Sequence, residues 1–225
     1  MKVSAFIAAR IEAIAADRSS GAAELGLRAA ETLALARPEE LAEAAQAVVR
    51  AQPSMASVYN AAQAALAGRI DGFIERLHHS SERIARAAAG LVRGKAVLTH
   101  SYSSTVLRAL REGGPSRVIC TESLPGGEGA RMAAALRGEL IPDTAVYRSL
   151  AAVEIVVTGA DALTPDSVIN KIGTAALALC ARERGIPAWV LCGSDKEAGA
   201  GWNPALGSLF EAAPRAWFTG VISDR

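Results

Sequence analysis

The sequence has three cysteines, Cys120, Cys180 and Cys192, and no CxxC pair. That scarcity excludes a disulfide-stapled secreted fold and a cysteine-built zinc site, and it fits a reducing compartment. Cys120 and Cys192 end apolar runs and Cys180 sits in an Ala/Leu stretch, so packing is their expected role. Histidine is equally scarce: of His78, His79 and His100, the first two adjoin on a helix and point apart. No metal is expected. Charge of one sign is also lacking, since 24 basic residues face 23 acidic ones. This leaves no field for wrapping nucleic acid or lying on an anionic membrane, so neither is an expected partner. The opening MKVSAFIAAR is interrupted by Arg10 and Glu12 before a signal or membrane span is complete, which predicts a soluble, cytoplasmic protein. Neither GxGxxG nor a Walker loop occurs, and PGGEG at 125–129 matches neither, so no cofactor is expected.

What is present is apolar. Hydrophobic residues make up 51% of 225, enough for one large domain or two smaller ones. Residues 1–93 are Ala-rich with almost no strand signal. Apolar positions recurring at three, four and seven from Ile70 to Leu91 predict a helix there, broken near Ser80 and Ser81. Pro38 with Glu39 and Glu40 reads as the first turn of a helix over 38–49. Further helices are predicted over 4–16, 21–36 and 55–66. From Gly94 short apolar runs at 96–98, 117–121, 139–141, 152–158, 188–191 and 217–222 alternate with helical stretches. This rhythm predicts an α/β fold: an N-terminal helical domain, 1–93, then a Rossmann-like domain, 94–225, with a mainly parallel sheet and helices on both faces.

The richest stretch is 154–174, EIVVTGADALTPDSVINKIGT. Ile155, Val156 and Val157 read as a strand buried on both faces. Gly159 and Ala160 turn the chain so that Asp161 stands at the strand's C-terminal end, where open α/β sheets bind ligands. Asn170, Lys171 and Gly173 are placed about one turn into the following helix, whose amides with the lysine would hold an anion. The plainer reading of GAD alone is a helix cap, with Lys171 in solvent. His100 and Ser101, the stretch from Glu122 to Gly129, and Asp143 also follow strands, so a polar cluster walled by the N-terminal helices is expected. Gly126, Gly127 and Gly129 would offer bare amides to a phosphate, or would form only a flexible turn.

Together, TGADALTPDSVINKIGT at 158–174, THSYSS at 99–104, TESLPGGEG at 121–129 and LIPDTAV at 140–146 resemble one family. SSGAAEL at 19–25, QPSMASVYNA at 52–61, CGSDK at 192–196, Asn203-Pro204 and Phe210-Glu211 extend the resemblance over most of the chain. It is the family of the alpha, beta and delta subunits of initiation factor 2B, with methylthioribose-1-phosphate isomerase and ribose-1,5-bisphosphate isomerase. In the isomerases a cysteine after Thr-His works with the GAD aspartate. The resemblance therefore makes Ser101 and Asp161 the candidate catalytic positions, although a hydroxyl is a poor substitute for a thiolate. The phosphate-clamping arginines of the isomerases correspond to Ser20, before Gly21, and to Gln52. The arginine before the glycine loop corresponds to Leu124, and a glutamine common in the isomerases to Glu128. As many as three cations are thus replaced and one acid is added, with Lys171 the cation retained. The resemblance implies an initiation factor 2B-like homodimer joined through its α/β domains, the run Trp217, Phe218, Val221 and Ile222 either adding interface area or forming a core strand. It would bind a small sugar-phosphate-like or polyhydroxylated ligand without isomerase turnover. The alternative is a sugar-phosphate aldose-ketose isomerase.

Overall fold

Alanine and leucine at helical spacing fold the first part of the chain into α1 (Ala5–Ala16), α2 (Ala22–Ala34), α3 (Leu41–Ala51) and α4 (Ala56–Leu66), with long α5 (Ile70–Val92) after them. The computed structural model describes residues 3–17, 20–198, 202 and 206–225. Ser19 and the Asn203-Pro204 step lie outside the described residues. The helices bury Ile7, Leu25, Leu33, Val48, Val58 and Phe73 in one cluster. The C-terminal half of α5 leaves that cluster and contributes Ile84, Ala88 and Val92 to the flank of the sheet.

Two helix boundaries differ from the sequence expectation. α5 runs unbroken through Ser80 and Ser81, because the buried Ser80 finds a partner outside the helix, the Asp224 carboxylate. At α3, Pro38 and Glu39 form a turn ahead of the helix, and Glu40 folds back to accept from the amides of Ser4 (2.6 Å) and Arg37 (3.1 Å). Those bonds, led by the Ser4 amide, hold its carboxyl at about 2.

The second part forms a six-stranded sheet in the order β3-β2-β1-β4-β7-β9, every pair parallel. Its strands are β1 (Ala96–His100), β2 (Arg117–Thr121), β3 (Glu139–Ile141), β4 (Ile155–Thr158), β7 (Ala188–Leu191) and β9 (Gly220–Ile222). Strand alternation sends Val97, Ile155 and Val157 toward α5 and α6 (Ser104–Gly113), and Leu98, Ile119 and Val156 toward α8 (Val146–Ser149) and α9 (Thr174–Glu183). Phe218, Val221 and Ile222 pack half-buried on this core, so that run completes the sheet.

A smaller antiparallel sheet, β5 (Ala162–Leu163), β6 (Ser167–Lys171) and β8 (Phe210–Pro214), corrects the sequence reading. Asn170 and Lys171 belong to strand β6, paired with Glu211 and Phe210 of β8. The helix starts only at Thr174, after Gly173 at φ +102°. Ser167, Val168 and Ile169 suit a strand, but the pairing partner lies about forty positions downstream, and no local pattern announces it. Among the described residues no helix is long and apolar enough to cross a membrane.

Candidate ligand pocket

At the C-terminal edge of β1 the chain turns on Ser101 at φ +63°. A left-handed, non-glycine residue costs on the order of 1–3 kcal/mol and needs surroundings that enforce it. The Ser101 amide donates to Ser123 Oγ at 2.7 Å. Ser123, also left-handed at φ +61°, is held with Leu124 by the Asp143 carboxylate, which accepts from both amides at 2.8 Å. His100 lies beneath, its Nδ1 2.7 Å from Thr121 Oγ1 and its Nε2 2.9 Å from the Ile172 carbonyl. Because a carbonyl only accepts, Nε2 carries the proton and Thr121 donates to Nδ1. Burial lowers the His100 pKa and keeps the ring neutral. His100 and Asp143, both expected in the ligand cluster, brace the turn that presents Ser101, and neither lines the cavity.

The cavity holds about 400 Å³ and lies between this sheet edge, the loops that open α2 and α4, and the segment 207–210. Such a volume suits a small ligand. Of the residues expected there, Ser20, Gly21, Gln52, Ser101, Glu128, Asp161, Asn170 and Lys171 line it. Gly126, Gly127 and Gly129 do not. The Gly127 amide donates to the Ser123 carbonyl (3.0 Å) and the Gly129 amide to that of Glu122 (3.2 Å), so both close the loop on itself. Gly129 serves packing: a Cβ there would stand 1.6 Å from the Thr121 carbonyl oxygen, where α7 (Glu128–Leu136) meets β2.

Charge in the cavity is largely self-compensated. Lys171, 4% exposed, donates from Nζ to Glu128 Oε1 at 2.8 Å. Lys171 is therefore neither in solvent nor available, as it stands, to an anion. Asn170 donates to Thr158 Oγ1 (3.2 Å) and Thr174 Oγ1 (3.0 Å), and Thr174 Oγ1 donates to the Lys171 carbonyl (2.7 Å), which fixes this end of β6. Gln52 Nε2 caps α1 by donating to the Ile14 carbonyl at 2.8 Å. No arginine is among the described residues that line the cavity.

Asp161 faces the cavity without capping a helix. Burial raises its pKa above the usual carboxylate range, opposed by the nearby Lys196 ammonium and reinforced by Glu128. Lys196 is a pocket residue that the sequence reading passed over. It is 5% exposed and anchored by Nζ donating to the Ala160 carbonyl at 2.7 Å. Its signal was CGSDK, which follows a parallel strand just as GAD does.

Glu211 is the second residue missed. Its Oε1 accepts from the amides of Gly173 (2.7 Å) and Ala175 (2.8 Å), so the helix N-terminus expected to hold an external anion holds the protein's own carboxylate. Replacing Glu211 by Ala orphans two amides and is expected to cost about 1–2 kcal/mol. For a chain of this size that lowers the melting temperature by roughly 2–8 °C, which calorimetry will read. Among the described residues no group of three or more His, Cys, Asp or Glu could hold a metal ion.

A sequence model described as the initiation factor 2 subunit family matches residues 8–198. The chain belongs to that family. A member from Pyrococcus horikoshii named translation initiation factor eIF-2B subunit 2-like is 35% identical over 92% of this chain and 91% of its own length. Another relative, the ribose 1,5-bisphosphate isomerase of Haloterrigena turkmenica, is 33% identical over 79% of this chain and 65% of its own length. The solved structure of a Pyrococcus horikoshii translation initiation factor eIF-2B superposes with a TM-score of 0.86 at 28% identity, covering 98% of this chain and 96% of that one. Family membership therefore spans proteins named as initiation factors and as isomerases, and the choice between them rests on the site itself.

Proposed function

We propose that this family member binds a small phosphorylated or polyhydroxylated ligand in the cavity beside Asp161 and does not turn it over as an isomerase. The observation that carries the reading is the Lys171–Glu128 pair, 2.8 Å across the cavity. The cation nearest the expected phosphate position is already neutralised, and Lys196 is the one other cation among the described residues that line the cavity. A bisphosphate carrying several negative charges would find little beyond Lys196 to meet it. Ser101 adds a second argument, because its hydroxyl cannot supply thiolate-like proton chemistry near neutral pH.

The isomerase reading is favoured by one specific feature. Asp161, its pKa raised by burial and two lysines near it, is the cavity's candidate for trading a proton with a sugar carbon or oxygen. Product formation from ribose 1,5-bisphosphate and from methylthioribose 1-phosphate separates the two readings. No turnover is expected from the unmodified chain, and ordinary enzymatic turnover abolished by Asp161→Asn would establish the isomerase.

The protein is taken to act in the cytoplasm as a homodimer joined through its sheet-bearing part. Leu140 on β3, Tyr147 on α8 and Leu179 on α9 are large apolar side chains left 42%, 53% and 40% exposed, and a second copy would cover them. Light scattering at micromolar concentration is expected to give twice the chain mass. A monomer there would refute the pairing.

A further inference from the structure

A second cavity, about 680 Å³, opens on the far side of α4 and shares no residue with the first. Its floor is one face of α5. Arg76 and Arg83 lie seven residues apart on nearly the same face of α5, about 10 Å along the axis, and Arg69, seven residues before Arg76, stands just ahead of the helix start and lines the same cavity. All three are exposed, and among the described residues none has a carboxylate within ion-pairing distance. The Arg76 guanidinium lies over the Phe73 ring, 5.7 Å from its centroid, which restrains it without neutralising it. By contrast the neighbouring α5 arginine Arg86 is paired with Glu82 at 2.7 Å, on another face.

The opposite wall carries acids, but each is engaged or suppressed. Glu197 Oε2 is taken by Arg225 at 2.9 Å. Asp224 accepts from the Ser194 amide at 2.8 Å and from the Ser80 hydroxyl. Asp195 is driven toward its neutral form by burial. Asn60 Nδ2 donates to the carbonyls of Asp195 (2.7 Å) and Glu197 (2.8 Å), which fixes this wall against α4. The groove thus joins a held polar wall to a row of three unpaired guanidinium groups.

We propose that this groove is an anion site for a linear phosphate chain, with Arg69, Arg76 and Arg83 each meeting phosphate oxygens. Guanidinium forks match phosphate bidentately, and their spacing favours a ligand whose charges are spread over several ångströms above one compact orthophosphate. The volume suits a small molecule of this class. The aromatic ring on the floor, Phe73, is buried and covered by Arg76, leaving no platform for a nucleobase. The phosphate chain itself is the recognised element, so ATP and tripolyphosphate are expected to bind alike and AMP much more weakly.

The test is calorimetric titration of the full chain with sodium tripolyphosphate at low ionic strength. One tightest site per chain is expected, weakened as salt is raised, with orthophosphate at least about tenfold weaker there. The double variant Arg76→Ala, Arg83→Ala is expected to lose roughly 10- to 100-fold in affinity, at unchanged helicity since both side chains are exposed. If that double variant fails to fold, the single variant Arg83→Gln is expected to show a smaller loss in the same direction. Lys171→Met, in the first cavity, is expected to leave the affinity unchanged. Absence of saturable binding, equal affinity in the arginine variants, or loss confined to Lys171→Met would overturn the proposal. This last outcome would place the anion in the first cavity and leave the function proposed there standing.

Discussion

Replacing Glu128 by Gln is expected to raise the affinity of the first cavity for inorganic phosphate by about 10- to 100-fold, the value of one charge-assisted contact. In the unmodified chain an incoming phosphate must either displace the Glu128 carboxylate from Lys171 Nζ or bind beside it. Either route is unfavourable: the first exposes a carboxylate to the anion, and the second adds like charge beside that carboxylate. Glutamine keeps the shape and a carbonyl acceptor but carries no charge, so Lys171 becomes available at little cost in packing. An opposing effect must be subtracted. Glu128 raises the Asp161 pKa, so its removal lets Asp161 ionise more readily and repel the ligand. The Lys171 ammonium is the direct contact and Asp161 the more distant one, so a net gain is expected. Titration of both chains with phosphate at fixed ionic strength decides it. Equal affinities would show that Lys171 is not the anion's partner.

How much of this site could be read beforehand divides along sequence distance. Asp161 and Ser101 were legible because each follows a short β-branched or apolar run, and the C-terminal end of a parallel strand is a local, directional signal. The parallel sheet and its flanking helices were legible for the same reason. Lys171 was recognised as a pocket residue but placed on the wrong element, because the strand it belongs to is defined by pairing with residues about forty positions on. Glu211 escaped notice since nothing in Phe210-Glu211 says that its carboxylate will reach back to the amides of Gly173 and Ala175. The glycines of PGGEG misled in the opposite direction. Their composition matches a phosphate cradle, but the Gly127 and Gly129 amides are spent inside the loop and the Cβ-free position of Gly129 serves helix–strand contact. His100 shows the same limit. A histidine at a strand end reads as a ligand contact, whereas burial against Thr121 and the Ile172 carbonyl makes it a neutral strut under Ser101.

Asp161→Asn is expected to raise the melting temperature at pH 7.5, and the gain is expected to disappear as the pH approaches the ordinary carboxylate range. The sign follows from linkage. Burial raises the Asp161 pKa in the folded chain above its value of about 4 in the unfolded chain. The folded state therefore holds this proton more tightly. Between the two pKa values folding loses stability as pH rises, and above the folded value the full penalty of a buried carboxylate remains. Asparagine fills nearly the same volume and has no charge to desolvate, so it escapes that penalty wherever the aspartate would be ionised. Below the unfolded pKa both side chains are neutral and the two melting curves should converge. Lys196, which lowers the Asp161 pKa, supplies the control: Lys196→Met removes the opposing cation, so the penalty extends to higher pH. Lys196→Met also leaves the Ala160 carbonyl without its donor, costing about 1–3 kcal/mol at every pH. Calorimetric melts of the three chains from pH 4 to 8 separate the pH-dependent part from the constant one. A gain of that kind from Asp161→Asn would mark a residue kept at a cost in stability, the trade expected at a functional site. A flat difference between Asp161→Asn and the unmodified chain across that range would show that Asp161 does not titrate abnormally.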